Sequence, residues 1–163
     1  MSGSRRAATV AAAVAGTAAL GSAASTSGVD SGWYAALEKP SFQPPATVFP
    51  IAWTLLYADL ATGATVALGR LHDVDPAAAA SYRRALATNL VLNAGWSWTF
   101  FRWHRLGGAV VVAAGLTASS TDLARRTRAV APRAGAALGA YPAWCGFATV
   151  LSAALWRRNR GHR

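Results

Sequence analysis

Five stretches of this chain lack charged residues or nearly so, and charges collect at their ends. They run 7–29, 46–69, 82–102, 105–124 and 134–156, with 30–45 as the first connection. A helix crosses a bilayer with about 20 predominantly apolar residues, within a range of roughly 17 to 25. The pattern predicts five membrane-spanning helices in one domain over residues 1–163. The third and fourth stretches are tight: charge-free lengths of 17 residues (85–101) and 16 residues (106–121) need flanking Arg105 or Asp122 to reach back toward water. The first is long enough but built mostly from Ala, Ser, Thr and Gly. Alternating strand patterns punctuated by turns do not recur, so the fold class is all-α, a five-helix membrane bundle.

Two other readings fit part of the pattern. Arg5-Arg6 followed by an Ala/Val-rich run and small residues near Ala24 has the form of a cleaved signal peptide. A soluble alanine-rich bundle would agree with a mean hydropathy of only +0.26. Soluble helices, however, carry a polar face at 3.6-residue spacing, and "LVLNAGWSWTFF" has almost none.

Composition sharpens the membrane reading. The chain is 53% hydrophobic and 13% charged, against about 25% charged in an ordinary soluble domain. Its net charge of +10 comes almost wholly from arginine, placed where the headgroup layer would be. A nucleic-acid module would spread such charge along one face with aromatics between, so nucleic acid is not an expected partner and the lipid bilayer is. Trp33, Tyr34, Trp103 and Trp156 fall at segment ends, as an interfacial belt requires. With five spans, nine basic residues share one side and seven the other, Arg163 among the seven. That balance is too even to orient the chain. Cys145 is the single cysteine, which excludes an intrachain disulfide or a multi-cysteine metal site. His72, His104 and His162 lie outside the apolar segments, so no metal ligand set is expected.

The connection "WYAALEKPSFQPPATVFP" carries the candidate chemistry. Lys39-Pro40 and Pro44-Pro45 stiffen it, since proline fixes its own φ and restricts the residue before it. It reads either as a lid over the bundle mouth or as an interfacial anchor. Trp53 and Tyr57 share a face of the second span. Asn89, Asn93, Trp96 and Phe100 share one in the third, and should point inward because amides in lipid are costly. Asn93 suits ligand contact and interhelical hydrogen bonding equally. Tyr141, Trp144, Ala148 and Leu151 stripe the fifth. Asp59 is the one acid within a span, expected near the bundle interior as a hydrogen-bonded or protonated group or facing a neighbouring arginine, or else as a proton-handling or ligand-pairing carboxylate. Gly135 and Gly139 form a GxxxG, a weak dimer signal in so small-residue-rich a chain.

"WYAALEKPSFQPP", "IAWTLLY", "NLVLNAGWSWTFF" and "YPAWCGFATVLSAALWRRN" together resemble the TspO/MBR family, in order and at family-like spacing. The resemblance implies a five-helix bundle in a bacterial cell membrane, often a homodimer, with a ligand pocket beneath the first loop. Family ligands are porphyrins and haem, cholesterol in animal members, and benzodiazepine-type compounds. No cofactor is required; a porphyrin or haem would be the ligand. Matched by position, the binding residues would be Tyr34, Lys39, Pro44, Phe49, Trp53, Tyr57, Asn93, Trp96, Trp144, Ala148 and Leu151. Some members are reported to degrade protoporphyrin in light, and the tryptophans tied to that reaction match Trp53 and Trp144. The expectation is a tetrapyrrole-binding translocator or sensor, with a light-dependent porphyrin-degrading enzyme as the alternative and an Asp59-dependent transporter as a third reading. Departures exist. Phe42 stands where tryptophan is common, Tyr141-Pro142 reverses the usual order, Ala153 replaces a tyrosine of the sterol motif, and Asp59 replaces an apolar residue.

Overall fold

A computed structural model describes residues 2–161; His162 and Arg163 lie outside the described residues. Those residues form seven α-helices and no strand. α1 (Gly3–Val29) leads into a short α2 (Gly32–Ala36) within the first connection. α3 (Val48–His72) and α4 (Pro76–Ser97) follow, and α4 runs on into one π-helical turn, Trp98–Arg102. α5 (Leu106–Val130) is separated by Ala131 alone from α6 (Pro132–Ala137), and α7 (Ala140–Asn159) completes the bundle.

Four helical segments are long and apolar enough to cross a membrane: Gly3–Val29, Val48–His72, Leu106–Val130 and Pro132–Asn159. Only 28–39% of each apolar window is buried inside the bundle. Large apolar side chains of these segments stand on the outside, Ile51, Leu55, Val111 and Val150 all being exposed. Lipid is the solvent such a surface suits. The expected third span is less apolar, since α4 carries Arg83, Arg84, Asn89 and Asn93, and it starts earlier than expected. Asp75 caps it, its carboxylate accepting from Ala78 N at 2.8 Å, and Pro76 occupies the first turn. Arg83 and Arg84 therefore lie well inside the helix.

α1 packs against α3, α4 and the π-turn, while α5 packs along α4 and α7. The buried residues of α1 are Val10, Val14, Thr17, Gly21, Ala24 and Gly28. Their alternating spacing of four and three residues is a close-packed seam of small side chains. Gly28 shows why size matters: a Cβ there would meet Phe101 Cβ at 2.6 Å. Several α1 hydroxyls bond back within the helix, as Thr17 donates to Ala13 O at 3.0 Å and Ser25 to Gly21 O at 3.0 Å. Composition that looked weak for lipid is thus suited to tight helix packing.

The last expected span is two helices. The chain breaks at Leu138 and Gly139, three residues before Pro142, which then sits in the first turn of α7 where its missing N–H is harmless. Gly135 also reads differently in place. It is buried, and a Cβ on it would collide with the Arg128 backbone. Its small size serves the close approach of α6 to α5.

Candidate functional site: an aromatic cavity under the first connection

The first connection is pinned at both ends. Ser31 caps α2, its Oγ accepting from Tyr34 N at 3.3 Å and donating to Gly28 O at 2.5 Å. At the other end Glu38 N donates to Asn159 Oδ1 at 2.9 Å, and Asn159 Nδ2 donates back to Glu38 O at 3.1 Å. This reciprocal pair ties the loop to the last turn of α7. Lys39 Nζ donates to Tyr34 O at 2.8 Å and sits 4.6 Å from the centre of the Tyr34 ring. Gln43 Nε2 donates to Tyr34 OH at 3.2 Å. Pro40 is buried. Held this way, the segment roofs a cavity of about 610 Å³.

The rings below the roof come from three helices. Phe49, Trp53 and Tyr57 descend one face of α3, and Trp96 ends a face of α4. The π-turn adds Phe100 and Phe101, whose rings meet edge to face at 4.7 Å. A wider i→i+5 turn rotates consecutive residues less than an α-turn does, which lets both phenyl rings reach one space. Trp103 N donating to Trp98 O at 2.9 Å closes that turn. Trp53 lies 5.6 Å from Tyr57 and 6.3 Å from Trp96, and Trp96 stacks on Phe100 at 5.9 Å. Opposite them, α1 contributes Ala18, Gly21, Ser22 and Ser25. The empty space is what those small residues leave unfilled.

Beneath the floor runs a directional chain of hydrogen bonds. Tyr57 OH donates to Asn93 Oδ1 at 2.6 Å, and Asn93 Nδ2 donates to Tyr141 OH at 3.0 Å. Tyr141 OH donates to Asn89 Oδ1 at 2.8 Å, and Asn89 Nδ2 donates to Ser119 Oγ at 3.3 Å. The chain links α3, α4, α7 and α5. It leaves Tyr57 with its proton committed and its oxygen lone pairs available on the cavity side.

Of the expected binding residues, Tyr34, Phe49, Trp53, Tyr57, Trp96 and Leu151 line the cavity. Lys39, Pro44, Asn93, Trp144 and Ala148 are not among its lining residues. Asn93 is 2% exposed and engaged by Tyr57 and Tyr141, which is the interhelical bonding of the two readings. Trp144 stands behind Phe49, with ring centres 6.0 Å apart, and its buried Nε1 has no acceptor among the described residues. Lys39 is exposed and turned onto Tyr34. Asp59 is not near the interior: it falls on the outward stripe of α3 with Ile51, Leu55, Thr62 and Val66, half-buried, with no hydrogen bond or ion pair among the described residues. Phe100's neighbour Phe101, Gln43 and the α1 wall were not singled out from the sequence. A π-turn has no sequence signature, and Gln43 could be noticed only as the one amide in the proline-rich segment.

An all-helical membrane protein with a roofed, ring-lined cavity inside the bundle is the class these features define. The TspO/MBR family profile matches residues 8–157, and the chain belongs to that family. Among its relatives, a Translocator protein from Sus scrofa is 34% identical over 133 residues, covering 80% of this chain and 77% of the relative. Protein CrtK from Rhodobacter capsulatus is 30% identical over 131 residues, covering 80% and 81%. A Tryptophan-rich sensory protein from Cereibacter sphaeroides is 36% identical over 80 residues, covering 49% and 47%.

Proposed function

We propose that this protein binds a tetrapyrrole, a porphyrin or haem, in the cavity beneath the first connection, and acts as a translocator or sensor in a bacterial cell membrane. The observation that carries the reading is the convergence of seven rings (Tyr34, Phe49, Trp53, Tyr57, Trp96, Phe100 and Phe101) on one volume of about 610 Å³ under the first connection. Small-ligand sites fall at about 300–1,000 Å³, mostly apolar with a few polar groups. A flat apolar macrocycle suits aromatic walls, which offer area at little entropic cost. Polar guidance would come from acceptors: the Tyr57 oxygen and the Gln43 carbonyl, which is buried without a donor. Asn93 and Trp144 then serve the site indirectly, Asn93 by fixing Tyr57 and Trp144 by backing Phe49. Lys39 stands at the exposed rim, where it could leave Tyr34 to meet a propionate.

On this reading α4 with its π-turn is the fifth crossing. Its Arg83 and Arg84 emerge into the headgroup layer. A homodimer belongs to the same proposal, with the outward Asp59 stripe as a face on which a second copy would shelter the carboxylate.

Titration of detergent-purified protein with protoporphyrin IX tests the binding. Tryptophan emission should be quenched saturably, and a benzodiazepine-type ligand should reverse it. Unquenched emission, or quenching without saturation, contradicts the proposal. The alternative, light-driven porphyrin degradation, is favoured by Trp53, whose indole lines the cavity. Under illumination, bleaching of bound porphyrin that stops in Trp53→Phe supports an enzyme; stable absorbance in the wild type supports a binder.

A further inference from the structure

Three helices present the same sequence of chemistry at the end of the bundle away from the roofed cavity. On α1, Arg6 is followed along one face by Val10 and Ala13; on α4, Arg83 is followed by Leu86, Ala87 and Leu90. α3 arrives from the other direction with Leu68 and then His72. The three faces enclose a groove of about 220 Å³, apolar along its length and basic at its outer end. Arg6 reaches across to α3, its Nη1 lying beside Gly69. Two acids lie nearby: Asp73 is 3.9 Å from His72, so an anion here would share that imidazole with it, and Asp75 caps α4. Arg70, a further cation at this end, is turned away, its Nη1 donating to Val130 O at 2.6 Å.

We propose that this groove binds an anionic phospholipid of the surrounding membrane. Arg6, His72 and Arg83 would hold the phosphate, and an acyl chain would lie over the exposed Ala13 and Ala87, above the buried Val10, Leu68 and Leu90. The order of residues argues for lipid over a free anion. A soluble phosphate needs only the cations, whereas each basic group here stands at the head of an apolar stripe running toward the membrane interior. Basic pockets between membrane helices favour anionic headgroups for this reason. The site is independent of the roofed cavity and shares none of its lining residues.

Native mass spectrometry of the full chain, with phosphatidylglycerol and phosphatidylcholine added in equal amounts, tests the assignment. Phosphatidylglycerol should be retained preferentially. Arg83→Gln should cut that retention roughly fivefold, the usual worth of one arginine near the headgroup layer. Arg84→Gln, next in the chain but outside the groove, should leave it unchanged. Ala87→Trp should fill the groove and abolish retention while the melting temperature holds. Equal retention of the two lipids, or equal losses in Arg83→Gln and Arg84→Gln, would overturn the proposal. So would displacement of the lipid by inorganic phosphate alone, which would mark a free-anion site.

Discussion

Tyr57 and Gly28 each do something their residue type alone does not announce. Tyr57 is both a wall of the cavity and the first donor of a chain reaching Ser119 across four helices. In an apolar surround an unpaired Asn93 carbonyl is costly, though interhelical hydrogen bonds in membranes are worth only about 0.6–2 kcal/mol each. Tyr57→Phe should therefore lower stability by about that amount in thermal melts of the detergent-solubilised protein. Tyr141→Phe, which removes one donor and one acceptor, should lower it more; the reverse order would contradict the chain as described. Gly28 is a matter of space. With Phe101 Cβ 2.6 Å from where its own Cβ would stand, Gly28→Ala should cost about 1–3 kcal/mol through overpacking. A melting temperature equal to wild type would show that α1 and the π-turn are not in contact as described. Individual aromatic positions on α3 were legible from spacing alone, because i, i+4 residues must share a face. The partition of the α4 face was not: Asn89 and Asn93 turn into hydrogen bonds, while Trp96 and Phe100 turn to the cavity. That division depends on where Tyr57 and Tyr141 arrive from other helices.

At the scale of elements, the first connection behaves as a braced strut. Its prolines announced stiffness, but the short helix α2 and the clamp to Asn159 could not be read locally, because Glu38 and Asn159 are 121 residues apart in the chain. Asn159→Ala removes both clamp bonds and leaves the cavity lining untouched. Amide exchange at residues 38–43 should quicken, and bound porphyrin should dissociate faster with little change in association; an unchanged exchange rate would show that the clamp does not hold the loop. The π-turn is the other element sequence did not reveal. α-Helical and π-helical turns draw on the same residue types, and only the packing of Phe100 and Phe101 against α1 and α2 distinguishes them. The break at Leu138 and Gly139 was masked for a similar reason: alanine-rich sequence on both sides is good helix, and the chain bends because α6 must lie close against Arg128.

Across the whole molecule, charge and hydropathy carried the architecture well. Apolar length and arginine placement gave an all-helical membrane protein, and the outward faces are apolar as that requires. Hydropathy alone distinguishes four segments of sufficient length and apolarity. The remaining helix, α4, is polar in its first turns, where Arg83 and Arg84 would lie at the membrane surface. Five crossings place the two ends of the chain on opposite sides, so reporter fusions at residues 2 and 161 should give opposite signals. The same side for both would remove α4 from the membrane and with it the wall carrying Trp96. The two proposed sites, one ring-lined, the other basic at its outer end, sit at opposite ends of the bundle and draw on opposite chemistry.

The central claim is that the cavity beneath the first connection receives a flat macrocycle. An experimental structure of the protein saturated with protoporphyrin IX tests it most directly. The account predicts the macrocycle against Trp53 and Trp96, under Tyr34, with the Tyr57–Asn93 bond intact. A porphyrin bound on the outer surface of the bundle, with the cavity holding only lipid or detergent, would contradict it.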